Sequence, residues 1–215
     1  HIVFASHGFG GIWRSVDRGA TWSLIMQPDF VDTNLQAMAE VDGLLIGGGN
    51  NGLWISSDKG ETWNRLVTGD EKIDSRGNYE VTAIIPFSRD HILFAVKVDK
   101  AALRSGRVEV MHGFYELKNG RLTFHPLPVE GTANAVVMLG YDDDLDGRRV
   151  LFVSSSEAGL YIYDLESGHW SRILDRMTTR VYVDADHDTV YVGTIGDWYY
   201  KGVYSGSWSW EHITV

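Results

Sequence analysis

The run Asp142-Asp143-Asp144-Leu145-Asp146-Gly147 sets carboxylates at alternate positions ahead of a glycine, the D-x-D-x-D-G spacing of a calcium loop. Alternate side chains and one carbonyl can converge on a hard cation, and the glycine permits the sharp turn between them. Asp142, Asp144, Asp146 and the Arg148 carbonyl are the ligands this reading names, with water in place of an acid that the sequence lacks at Val150. Ca²⁺ is the one cofactor the sequence admits, and a solvated hairpin is the competing reading. Asp184, Asp186 and Asp188 repeat the spacing without the glycine.

A second cluster is aromatic. Asp197-Trp198-Tyr199-Tyr200-Lys201 puts three consecutive rings between a carboxylate and an ammonium. In a loop such a run suits recognition of a protein or glycan, because rings with polar edges give large contact area at low entropic cost. The competing reading has one or two of them roofing the core. His7, Asn50, Asn51, Arg104, Arg107 and Glu157 occupy other predicted loops and join Asp197, Trp198, Tyr199 and Tyr200 as candidate binding residues. For acid–base chemistry the loops offer Asp29, Asp32, Asp70, Glu71, Glu130, Glu157 and Asp197, among which no pair stands out.

Composition narrows the classes further. The chain has no Cys, so thiolate ligands, disulfides and cysteine nucleophiles are excluded. A formal charge of −10 without a basic run argues against nucleic acid or an anionic membrane as partner. No apolar stretch approaches the ~20 residues that cross a bilayer, so membrane insertion is not expected. A start at His1 rather than Met is what a processed or trimmed chain would show.

The elements that position these residues are repeats. Gly, an aliphatic or Phe, then Trp or Tyr recurs at Gly11, Gly52, Gly113, Gly159 and Gly202. A polar residue followed by an aromatic comes ten residues after the Gly in four copies (Thr21-Trp22, Thr62-Trp63, Thr123-Phe124, His169-Trp170) and seven after it in the fifth (Ser209-Trp210). Short apolar runs precede each glycine: Val3 to Ser6, Leu44 to Gly48, Ile92 to Val96, Val150 to Ser154 and Val190 to Gly193. Upstream again are Leu35 to Val41, Tyr79 to Phe87, Ala133 to Gly140 and Arg180 to Ala185. Four strands in a unit of ~40 to 50 residues is a propeller blade. The reading is an all-β chain, one β-propeller domain over 1–215, with five blades at about 1–30, 31–74, 75–129, 130–176 and 177–215. Each blade has four antiparallel strands, except that the first lacks its inner one.

Two turns carry a family resemblance. Ser15-Val16-Asp17-Arg18-Gly19-Ala20-Thr21-Trp22 and Ser56-Ser57-Asp58-Lys59-Gly60-Glu61-Thr62-Trp63 resemble the Asp-box, S-x-D-x-G-x-T-W, of BNR-repeat propellers. That group includes sialidases, sortilin-type receptors, two-propeller xyloglucanases and photosystem-assembly factors. The resemblance implies that Asp17 and Asp58 are fold elements, that Trp22, Trp63, Trp170 and Trp210 are core aromatics, and that an extracellular or periplasmic location is favoured. The sialidase start Arg-Ile-Pro is missing. Without a recognisable catalytic set, the expected function is a non-enzymatic module presenting a loop-decorated face to a protein or glycan. The alternatives are a glycoside-active hydrolase, and a structural subunit of a larger extracellular or viral assembly in which a neighbouring chain completes the first blade.

Overall fold

The computed structural model describes residues 2–7, 11–25, 34–50, 52–98, 100–109, 113–129, 136–196 and 199–213. Its strands form five antiparallel sheets. Sheet one has three strands, β1 (Val3–His7), β2 (Gly11–Ser15) and β3 (Ser23–Leu24). Sheet two holds β4 (Leu35–Val41), β5 (Leu44–Gly49), β6 (Gly52–Ser56) and β7 (Asn64–Leu66). Sheet three holds β8 (Tyr79–Ser88), β9 (His91–Val98), β10 (Gly113–Lys118) and β11 (Arg121–Pro126). Sheet four runs β12 (Val136–Leu145), β13 (Arg148–Ser155), β14 (Gly159–Asp164), β15 (Trp170–Leu174). Sheet five runs β16 (Thr178–Asp184), β17 (Thr189–Thr194), β18 (Tyr199–Tyr204), β19 (Trp208–Ile213). Two short helices, α1 (Glu71–Asp74) and α2 (Lys100–Arg104), fall in the two long excursions.

The backbone divides into two compact units, one of His1–Glu109 with Tyr115–Phe124 and the other of Val110–Phe114 with His125–Val215. In the first, Ile12, Ile25, Leu35, Trp54 and Trp63 form a core against which Phe4 and Leu45 pack. Gly48 is small because Val81 of the next sheet comes against it: a Cβ there would lie 2.4 Å from Val81 Cγ1. In the second unit Val150, Phe152, Leu160, Val181, Val190 and Val192 make the core, with Gly140 giving Val183 the same close approach. The second strands β5, β9 and β13 of sheets two to four are buried over most of their length. Their near-unbroken apolar runs fit strands covered on both faces.

The two S-x-D-x-G-x-T-W turns have a common wiring. In the second, Ser56 Oγ donates to Asp58 Oδ1 at 2.8 Å and accepts the Gly60 N–H at 2.8 Å. Asp58 also accepts the Thr62 N–H at 2.9 Å and the Thr62 hydroxyl at 2.5 Å. Ser15, Asp17, Gly19 and Thr21 repeat this pattern in the first. Gly60 and Lys59 both have positive φ, 82° and 62°. The tryptophans differ, however. Trp63 is fully buried against Phe4 of sheet one, ring centroids 6.1 Å apart, whereas Trp22 is 40% exposed. The expectation of Trp22 as a core aromatic is corrected here: the ring that closes a turn is covered by the sheet preceding it in the chain, and sheet one has none before it among the described residues.

Candidate functional site

The connections β13–β14, β15–β16 and β17–β18 come together at one end of sheets four and five, and buried polar bonds fix them. The Thr178 hydroxyl, fully buried, lies 3.1 Å from the carbonyls of Ser155 and Gly159 and accepts the Ser155 N–H at 3.1 Å. The Ile195 N–H donates to the Met177 carbonyl at 3.0 Å. Ser155 Oγ accepts the Ala158 N–H at 3.1 Å and the Glu157 N–H at 3.4 Å, a turn that holds Glu157 outward. Loops tied in this way lose little entropy when they bind.

Two concavities open there. One, of about 300 Å³, is lined by Thr179, Arg180, Gly193, Thr194, Gly196 and Tyr199. The other, of about 230 Å³, is lined by Glu157, Arg172, Asp175, Arg176, Met177 and Ile195. Arg172 pairs with Asp175 and stands over the Tyr161 ring, 6.0 Å from its centroid. Tyr199 is 51% exposed and lies opposite Gly193, which in turn lies opposite Arg180. Two residues along the same sheet face, Tyr182 and Tyr191 are directly paired with ring centroids 6.3 Å apart, and Lys201 is opposite Tyr191. The other face of these strands carries Val181, Val190 and Val192 into the core. Sheet five thus shows a face of tyrosine rings with Arg180 and Lys201 among them. Rings of this kind take the C–H face of a sugar or an apolar side chain, and the cations take carboxylate or hydroxyl oxygens.

Of the binding residues named from sequence, Glu157 and Tyr199 belong to this end of the second unit. Tyr200 does not share the Tyr199 surface: it alternates to the opposite face, meets His212 at a tilt with ring centroids 5.0 Å apart and packs on the core. The expected aromatic loop is shorter than proposed, because Tyr199, Tyr200 and Lys201 already belong to β18. Asp197 and Trp198 lie outside the described residues, as do Asn51, Asp29, Asp32 and Glu130.

The remaining candidates are in the first unit. His7 ends β1 opposite Gly11. Asn50 ties loops together: its side-chain oxygen accepts the Asn34 N–H at 2.9 Å and its carbonyl accepts the Gly77 N–H at 3.0 Å. Arg104 closes α2, and Arg107 donates through Nε to Ser105 Oγ at 3.0 Å. Asp70 caps α1 by accepting the Lys72 N–H at 2.8 Å, and Asp74 accepts the Thr68 and Gly69 N–H groups, so both carboxylates are engaged by the backbone.

The run Asp142 to Gly147 is a hairpin. Leu145 pairs with Arg148 across Asp146 and Gly147, whose φ values of 55° and 75° suit a two-residue turn. Asp142 is buried, which pushes its carboxyl above the ordinary range, and its Oδ1 accepts the Asp144 N–H at 3.0 Å. Asp144 is exposed, and Asp146 accepts the Tyr204 hydroxyl at 3.3 Å. Arg148 points its guanidinium at the same hydroxyl. Among the described residues no three His, Asp or Glu side chains are gathered as a metal ion would require.

Sequence reasoning missed Thr179, Arg180, Tyr182, Tyr191 and Thr194. The signal was the alternation in Arg180-Val181-Tyr182-Val183-Asp184, with apolar residues on one face only.

No family model matches the sequence, and no curated protein matches it. Solved structures do. An ancestral GH74 enzyme superposes with a TM-score of 0.73 at 15% identity, over 99% of this chain and 29% of its own. The GH74 enzyme of Niastella koreensis gives 0.69 at 17% identity, over 99% of this chain and 35% of its own. The extracellular domain of the hybrid two-component system BT4673 of B. thetaiotaomicron gives 0.71 at 16%, over 100% of this chain and 26% of its own. The chain therefore spans 26 to 35% of the lengths of these structures. At such identities the likeness shows the fold: the chain is an all-β propeller of five sheets, the first with three strands among the described residues.

Proposed function

We propose that this chain is a non-enzymatic interaction module that offers the loop end and tyrosine face of sheets four and five to a glycan or a protein surface. The observation that carries the reading is the locked loop platform with the exposed Tyr199 beside Arg180, Thr179 and Thr194. The same reading makes it an Asp-box propeller of the BNR type, supported by the matched wiring at Asp17 and Asp58. One of the similar structures is an extracellular domain, which supports an extracellular or periplasmic location.

Screening the chain on a glycan array and on a glycoside panel tests this. Binding without hydrolysis is expected, and the double substitution Tyr199→Ala and Arg180→Ala should weaken it by about tenfold or more at unchanged melting temperature. Turnover of a glycoside would replace the module with the hydrolase, and binding indifferent to both substitutions would move the site elsewhere.

A further inference from the structure

Sheets two to five break register at the same place. Near the start of each first strand the pairing shifts, between Leu35 and Ala37, Val81 and Ala83, Val136 and Met138, and Thr178 and Arg180. Leu35, Val81, Val136 and Thr178 therefore hold one position in four repeats, and all four are buried. Three of them are aliphatic, as a buried strand position ordinarily is. The fold does not ask for a hydroxyl there, and a buried hydroxyl costs free energy unless it is hydrogen-bonded.

Val81 meets the preceding sheet through a methyl that comes against Gly48. Thr178 meets its preceding sheet through hydrogen bonds, to the Ser155 N–H and to the carbonyls of Ser155 and Gly159, each at 3.1 Å. Ser155 stands opposite Val136 as Gly49 stands opposite Leu35, so the serine too takes a place that another sheet leaves without a side chain. An apolar contact in one repeat has become a polar tie in another.

The tie lies within a wall shared by the two recesses. Met177 and Ile195 line the recess of Glu157 and Arg172, whereas Thr179, Thr194 and Gly196 line that of Arg180 and Tyr199. Thr178 is paired with Thr194, and the Ile195 N–H donates to the Met177 carbonyl at 3.0 Å. One buried hydroxyl thus joins the β13–β14 turn on one side and, through the backbone of Met177, the β17–β18 connection on the other.

We infer that Thr178 is the positioning residue of this platform: its hydroxyl couples the β13–β14 turn to the wall between the two recesses, so that both recesses keep or lose their shape together. This goes beyond the binding reading and holds whichever ligand the face takes. Without the hydroxyl the Ser155 N–H loses its acceptor, the turn that carries Glu157 parts from residues 177–179, and Ile195 loosens with them.

Hydrogen exchange on the whole chain tests the coupling. In the wild type the Ser155, Ala158 and Ile195 amides should open together, with one denaturant dependence and below the opening free energy of Leu151 and Phe152. Thr178→Val removes the hydroxyl at nearly constant volume and installs the residue that sheets three and four carry at this position. It should speed exchange at Ser155 and Ile195 by about tenfold or more, leave Leu151 and Phe152 unchanged, and be reversed by Thr178→Ser. The inference is overturned if Ser155 and Ile195 open independently in the wild type, or if Thr178→Val speeds Ser155 alone or neither amide. Equal acceleration at Leu151 and Phe152 would make Thr178 a brace of the whole sheet pair, and failure of Thr178→Ser to restore protection would assign the effect to the methyl. The measurement needs no ligand, so an empty glycan array would remove the binding reading and leave this result standing.

Discussion

Replacing Trp63 with alanine should cost about 3 to 5 kcal/mol, the range for truncating a fully buried large aromatic. Trp63 fills the junction between two sheets: it meets Phe4 edge-on, and a Cβ on Gly47 would lie 3.2 Å from its ring. Ile12, Leu35 and Trp54 share its cluster, so the hole left behind would be walled by three sheet strands that cannot all move in. Trp22 occupies the same place in an identical motif yet keeps 40% of its surface exposed, and its Nε1 donates to the Gly19 carbonyl at 3.0 Å. Trp22→Ala should therefore cost only about 1 kcal/mol. Urea titrations of the two variants measure the difference directly, and equal losses would mean that burial by the neighbouring sheet is not what separates them.

The two tryptophans also show what the sequence makes legible. Periodicity identifies every sheet because in sheets one to four one strand begins at the motif glycine: β2 at Gly11, β6 at Gly52, β10 at Gly113 and β14 at Gly159. Gly202 breaks the rule. It lies inside β18, where a Cβ would come within 2.6 Å of Trp210, so its role is to admit a ring rather than to open a strand. Aligning it with the other four is what stretched the predicted loop across Tyr199 to Lys201. Which face a strand turns outward was legible in the alternation at Arg180 to Asp184 but is outweighed by the apolar count, since Val181 and Val183 are as hydrophobic as any core pair. Exposure of Trp22 was not legible at all, because burial depends on the sheet standing next to a residue and not on its motif. At the calcium spacing the register of β12 with β13 shifts between Asp142 and Leu145, so alternation alone does not tell which way Asp142, Asp144 and Asp146 turn: Asp142 is buried and Asp144 exposed.

Acid should loosen the turn of Asp58, and Asp58→Ala should remove that acid sensitivity along with about 1 to 2 kcal/mol of stability, the range for several hydrogen bonds to a half-exposed carboxylate. The Thr62 hydroxyl, the Thr62 and Glu61 N–H groups and Ser56 all donate to the ionised carboxylate, and they hold its pKa down to about 2 from an ordinary 3.8. The folded carboxyl thus stays ionised at pH values where the unfolded one has taken up a proton. The unfolded chain then binds more protons, and stability falls with falling pH. The contribution is whole above about pH 4 and is lost progressively toward pH 2. Asp17 carries a matching shift, caused first by the Thr21 hydroxyl, and adds to the same window. Melting temperature against pH, measured for wild type and Asp58→Ala, should therefore converge as pH drops from 5 to 2, with the variant lower at neutral pH by several degrees. Asp58→Asn separates charge from shape: it keeps one acceptor oxygen, so it should recover part of the neutral-pH loss while lacking the acid transition. Curves for wild type and Asp58→Ala that stay parallel throughout would show that the carboxylate's ionisation contributes nothing, and a loss of glycan or partner binding in Asp58→Ala at unchanged stability would make the turn a site instead of a brace.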